Sequence, residues 1–148
     1  MNSVKIIDGS LDNLDDIFNL EFGFVQDRYS RNLIIDMLNN KNNINLVISY
    51  DDKIVGYLTA GVVLDECELI KIIVDSGYRQ NGLATLMLCE LLDRVKKLGV
   101  NKIFLEVRDN NFAAKKLYEK IGFKKIYQRE KYYKDGVDAD IYWYSFYE

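Results

Sequence analysis

The stretch Val74-Asp75-Ser76-Gly77-Tyr78-Arg79-Gln80-Asn81-Gly82-Leu83-Ala84 joins an apolar run, Leu69-Ile70-Lys71-Ile72-Ile73-Val74, to a long amphipathic segment. A strand that ends in a glycine-containing loop and runs into a helix aims several backbone N–H groups at one point. That point lies beside the positive end of the helix dipole, an arrangement that binds phosphate. The candidate ligands are Arg79, Gln80, Asn81, Gly82, Leu83, Ala84 and Thr85. Gly82 would let an anion approach the main chain where a Cβ would intrude. An ordinary strand-to-helix turn, with Gly82 relieving crowding, would show the same residues. The chain has no histidine, which removes Ser-His-Asp and Cys-His catalysis and argues against zinc. Acid–base chemistry therefore falls to carboxylates, tyrosine, lysine or cysteine. Strand alternation places Glu106 with Phe104, opposite Ile103, Leu105 and Val107. A carboxylate in that partly apolar setting would hold its proton more tightly and serve as a base. A salt-bridged surface glutamate is the plainer reading. Asn111, Ala114 and Tyr118 fall at i, i+3 and i+7, one face of a helix. With 11 tyrosines in the chain most are structural, and Tyr118 beside Leu117 and Ile121 is open to that reading too.

Two motifs add a resemblance. The spacing Arg79-x-x-Gly82-x-Ala84 is similar to the Q/R-x-x-G-x-G/A loop of the GNAT superfamily of N-acetyltransferases, whose loop holds the pyrophosphate of acetyl-CoA. Downstream, Leu105-Glu106-Val107-Arg108, Asn111, Ala114, Leu117-Tyr118 and Gly122-Phe123 resemble the pattern L-E-V-R-x-x-N-x-x-A-x-x-L-Y-x-x-x-G-F. That pattern marks the ribosomal-protein-alanine N-acetyltransferases. Val63-Leu64-Asp65-Glu66-Cys67-Glu68-Leu69 resembles the segment leading into their cofactor strand. The likeness runs from about Val62 to Ala139, a little over half the chain.

The resemblance implies a mixed α/β fold in the order β-α-α-β-β-β-α-β-α-β-β, with central parallel strands splayed around the pantetheine arm. It implies acetyl-CoA as cosubstrate, held by main-chain groups of Ile72, Ile73 and Val74, by the Arg79–Thr85 loop and by Asn111. Glu106 becomes the base and Tyr118 the general acid. The acceptor becomes a protein N-terminus, ribosomal by analogy. Arg129-Glu130-Lys131-Tyr132-Tyr133 resembles an R-x-x-Y-Y stretch on the acceptor side, and Glu68 is a candidate for the α-ammonium. Lys115 and Lys116 are candidates for the cofactor phosphates or plain solvated lysines. Ser76 stands where many members have proline and Ala84 where many have glycine. Glu21 to Ser30 replaces their Pro-Trp-Ser element, which leaves acceptor identity more open than reaction type. Cys67 and Cys89 have no histidine to activate them, so transfer is expected to be direct, in a ternary complex. A small-molecule amine acceptor, or a non-catalytic acetyl-CoA-binding module, would fit the same motifs less fully.

The elements that must position these groups alternate. Apolar periodicity predicts a strand over 4–7, helices over 11–24 and 30–38, and strands over 45–50 and 54–63 joined by the polar turn Asp51-Asp52-Lys53. A strand over 68–74 precedes a helix over 83–98 that buries Leu88, Leu91, Leu92 and Val95 and ends at Gly99. A strand over 102–107, a helix over 112–120 and an antiparallel pair over 123–128 and 139–146 complete the chain. The aromatics of that last pair read mostly as cross-strand packing.

At 148 residues, without proline or a composition shift, the chain is expected to be one N-acetyltransferase-sized domain over 1–148. A net charge of −3 argues against nucleic acid as partner. No apolar run approaches membrane-spanning length and the first residues lack a signal-peptide layout, so no membrane and a cytoplasmic setting are expected. Both cysteines are expected to be buried and reduced. Oligomeric state is left open between a monomer and a weak dimer.

Overall fold

The computed structural model describes residues 3–23 and 27–147. Its elements are β1 (Val4–Asp8), α1 (Leu14–Glu21), α2 (Arg31–Asn39), β2 (Asn43–Tyr50), β3 (Lys53–Val63), β4 (Glu66–Val74), α3 (Leu83–Lys97), β5 (Lys102–Arg108), α4 (Phe112–Ile121), β6 (Lys124–Arg129) and β7 (Ala139–Ser145). The expected element order is borne out. The first helix is shorter than predicted because Ser10 and Asn13 form a capping box around a 3-10 turn at Leu11–Asn13. The last position of that predicted helix, Phe24, lies outside the described residues. The β2–β3 turn carries φ of 49° at Asp51 and 68° at Asp52, the pair of left-handed residues that a two-residue hairpin loop requires.

One sheet in the order β1-β2-β3-β4-β5-β7-β6 holds the chain together. Only β4 and β5 run parallel; every other neighbouring pair is antiparallel. Helix α3 buries Met87, Leu88, Leu91 and Val95 against one face, where Tyr118 of α4 also packs. Helices α1 and α2 bury Ile17, Leu20, Ile34 and Met37 against Val47, Tyr57 and Ile73 on the other. Cys67 lies in the core as expected, but Cys89 is exposed, because it lies on the outer side of α3 near the exposed Leu86.

Strand β4 changes its facing partway along. Thr59 of β3 lies opposite Lys71 and the next residue, Ala60, opposite Leu69, so Ile70 is an inserted bulge residue. Before the bulge, Cys67 and Leu69 face α3; beyond it Ile72 and Val74 take that side, and Ile73 joins the core under α1 and α2. A one-residue insertion reverses the alternation in this way. It also turns Lys71 toward α1.

Candidate active site

The cleft begins where β4 and β5 part. They pair only at Glu66–Lys102, Cys67–Ile103 and Glu68–Phe104, yet each stays paired along its other edge, β4 to β3 as far as Val74 and β5 to β7 as far as Arg108. The bulge at Ile70 lies just beyond the last shared pair and adds local twist. Register then decides which main-chain groups face the opening. The Asp75 N–H donates to the Val55 carbonyl (2.7 Å), so in the antiparallel β3–β4 ladder Asp75, Ile73 and Lys71 point their main-chain groups at β3. Those of Ile72 and Val74 point into the cleft. Of the three residues expected to offer main-chain groups to the cosubstrate, Ile73 instead spends its own on β3 and buries its side chain.

At the end of β4 the Asp75 carboxylate accepts from the Gly77 N–H (3.0 Å), and the Tyr78 N–H donates to the Asp75 carbonyl (2.9 Å). These bonds form the turn in which Ser76 replaces the family's proline. Gln80 and Gly82 both have positive φ, 65° and 75°. Gly82 is the N-cap of α3 and offers no side chain to its first turn, which leaves the Leu83, Ala84 and Thr85 N–H groups without intrahelical acceptors. A Cβ on Gly82 would meet no protein atom within 4 Å, so crowding does not explain the glycine; its positive φ does. Asn81 and Arg79 brace the loop from within. The Asn81 Nδ2 donates to the Tyr78 carbonyl (3.0 Å) and the Arg79 Nε to that of Val74 (3.2 Å). An uncapped helix start beside an unpaired strand edge suits a diphosphate joined to an extended, amide-bearing arm.

Comparison with known proteins agrees: the model of the Acetyltransferase (GNAT) family matches residues 11–123. The chain belongs to that family. A [ribosomal protein bS18]-alanine N-acetyltransferase of Salmonella typhimurium is 39% identical over 90 residues, 61% of this chain and 61% of the relative. The matched segment thus covers less than two thirds of that relative's length. The crystal structure of the ribosomal-protein-S18-alanine N-acetyltransferase from Escherichia coli superposes with a TM-score of 0.88 at 30% identity, covering 98% of this chain and 94% of that one. Arabidopsis thaliana NAA60 in complex with acetyl-CoA gives a TM-score of 0.88 over 97% of this chain and 99% of that one. At 15% identity it speaks to the fold alone.

Within this GNAT fold, Glu106 stands on β5 two residues beyond the last pair with β4, on the face away from α3 and α4. Its surroundings differ from the partly apolar setting expected: the Arg129 guanidinium lies 3.6 Å from its Oε1, and the Glu106 carboxylate raises the pKa of the Tyr132 phenol. Arg129 and Tyr132 come from β6 and the loop after it, so the R-x-x-Y-Y stretch folds onto the candidate base. The Tyr133 pKa is pushed up to about 12, first by burial and then by the Glu106 charge. Tyr118 is buried between Phe123 and Tyr142, with ring centroids 5.8 and 6.4 Å away. Burial raises its pKa, and the charge of Tyr133 adds to the effect. Asn111 uses its Oδ1 to cap α4, accepting from the Ala114 N–H at 3.2 Å. Lys115 is engaged within the protein: its Nζ lies 2.8 Å from the wholly buried carboxylate of Asp140.

Sequence reasoning missed the network on the same face of the fork as Glu106. Arg108, at the end of the L-E-V-R run, bridges Asp27 (2.9 Å) and Asp135 (2.8 Å) and stacks 4.1 Å from the Tyr133 ring. Glu21 is fully buried. It accepts from the Tyr57 hydroxyl, from Lys71 Nζ (2.6 Å) and from the Tyr29 N–H (2.9 Å). Tyr29 in turn has its pKa raised by burial, then by the charges of Glu21, Asp27 and Glu68. A cavity of about 310 Å³ between Tyr29, Leu33, Met37 and Ile70 lies on the α2 side, with none of the phosphate-loop residues in its lining.

Proposed function

We propose that this protein transfers acetyl from acetyl-CoA to the α-amine of a protein N-terminus, with a ribosomal protein as the acceptor its relatives suggest. The carrying observation is the position of Glu106: on the open face of the β4–β5 fork, beside the R-x-x-Y-Y loop. The anion-binding start of α3 lies at the end of β4. Ile72 and Val74 hold the arm of acetyl-CoA along the strand edge, and the Arg79–Thr85 loop holds its diphosphate. A main-chain N–H beside the thioester oxygen would stabilise the developing oxyanion by about 2.7–4 kcal/mol. No helix among the described residues is long and apolar enough to cross a membrane.

Proton affinities favour an α-amine. With a pKa near ~8, about a tenth of such amines are neutral at pH 7; a lysine amine near ~10.4 is neutral in only about one part in two thousand. Glu106, reached directly or through water, takes the proton as the amine attacks. Tyr118 stays neutral because burial raises its pKa. The same shift makes it a weaker acid than an ordinary phenol, so it serves the departing thiolate by hydrogen bonding as well as by giving up its proton. Transfer is direct, without an acetyl-cysteine: Cys67 is buried and its thiol pushed up to about 12, chiefly by burial.

Incubation with acetyl-CoA and either an alanine-starting ribosomal peptide or a panel of polyamines and aminoglycosides, read by mass spectrometry, tests the acceptor. Acetylation at the peptide α-amine is expected. Turnover of the small amines alone would replace the acceptor, and binding without any turnover would make the protein a cosubstrate-binding module.

A further inference from the structure

We propose that Glu21 is a positioning residue for the acceptor, holding the segment that leads into α2 against the cosubstrate strand through Lys71. The inference rests on the proposed transfer to an N-terminus. A carboxylate with no solvent exposure survives only if its charge and lone pairs are met. Those of Glu21 are met from three elements: the Tyr57 hydroxyl on β3, Lys71 Nζ on β4 at 2.6 Å, and the Tyr29 N–H at 2.9 Å. Lys71 passes the constraint on. Its Nζ also donates to the Asp27 carbonyl (2.7 Å) and sits 3.7 Å from the centroid of the Tyr29 ring. The Asp27 carboxylate then reaches Arg108 on β5, at 2.9 and 3.1 Å. The segment is therefore fastened to both strands of the fork, on the face that carries Glu106.

Holding a helix against a sheet needs no buried ion pair, since apolar residues of similar volume do it at no greater cost. What the pair adds here is orientation. It fixes two main-chain groups, the Asp27 carbonyl and the Tyr29 N–H, where an incoming chain must pass. Lys71 reaches them only because the Ile70 bulge reverses β4. Sequence alone shows Glu21 as the last polar residue of an amphipathic helix.

The test compares wild type, Glu21→Gln and the charge-free double variant Glu21→Gln/Lys71→Met. It measures KM for an alanine-starting peptide, KM for acetyl-CoA, and amide exchange at Tyr29. The peptide KM should rise about tenfold in both variants while that for acetyl-CoA stays within about twofold. The Tyr29 amide should exchange slowly in wild type and faster in the variants. A folded variant with an unchanged peptide KM, or equal rises in both constants, overturns the proposal. So does failure of the double variant to fold, which would make the network purely structural. A wild-type protein inactive on every α-amine refutes the proposed reaction instead, whereas fast Tyr29 exchange in wild type refutes the clamp itself.

Discussion

Glycines at the two ends of α3 offer a controlled test of the phosphate loop. Gly82 precedes the helix with φ of 75° and Gly99 follows it with φ of 84°; at neither would an added Cβ meet an atom within 4 Å. Alanine at either position therefore brings the same backbone strain, about 1–2 kcal/mol, with no steric clash. For a chain of this size that lowers Tm by about 2–8 °C, by a similar amount in the two variants without ligand. Their binding should differ. A methyl at Gly82 would enter the open space at the helix start that the proposed diphosphate needs, and loss of one charge-assisted hydrogen bond costs about 1.5–3 kcal/mol. Calorimetric titration with coenzyme A should show Kd raised roughly ten- to hundredfold for Gly82→Ala and unchanged for Gly99→Ala. Equal affinities in the two variants, at matched losses of Tm, would refute the assignment of this helix start as the diphosphate site.

Glu106→Gln should lower kcat about 10²–10⁴-fold while leaving KM for acetyl-CoA in place, as steady-state kinetics would show. Tyr118→Phe should slow transfer without changing acetyl-CoA affinity. Because burial raises this phenol's pKa, the wild-type pH–rate profile should show no fall due to its ionisation below about pH 10. Asp140 is wholly buried, which alone would raise its pKa, but the ammonium groups of Lys115 (2.8 Å) and Lys125 (3.3 Å) outweigh burial and hold its carboxyl below the usual value. A depressed native pKa gives stability that is present above the unfolded value, near ~3.9, and lost as pH falls through the native one. Asp140→Asn should therefore cost about 1–2 kcal/mol at pH 7 and show a shallower acid loss than wild type, measured by urea unfolding at pH 7 and at about pH 3.

Local chemistry was legible where it is written in adjacent residues. Gly82 marked the left-handed start of α3, alternation in β5 placed Glu106 opposite Leu105, and the stripe of Leu88, Leu91 and Val95 gave α3 its buried face. What depended on pairing between distant segments was not. The Ile70 bulge leaves no mark in Leu69-Ile70-Lys71-Ile72, yet it sets Lys71 toward Glu21 and Ile72 toward the cleft. Ile73 was grouped with its neighbours because sequence does not say which edge of β4 is shared with β3. The expected apolar setting of Glu106 considers β5 alone, whereas Arg129 and Tyr132 arrive from β6 and the loop after it, more than twenty residues on. Lys115 reads as solvated or open to phosphate because its partner Asp140 lies far along the chain, on β7.

The fork itself can be tested by following backbone amides in a two-dimensional NMR titration with acetyl-CoA. The amides of Ile72, Val74 and Gly82 through Thr85 should shift most, and that of Ile73, committed to β3, far less. Large shifts around Tyr29, Leu33 and Met37 with none at Ile72, Val74 or Gly82 would contradict the account, because the thioester would then lie on the wrong side of β4.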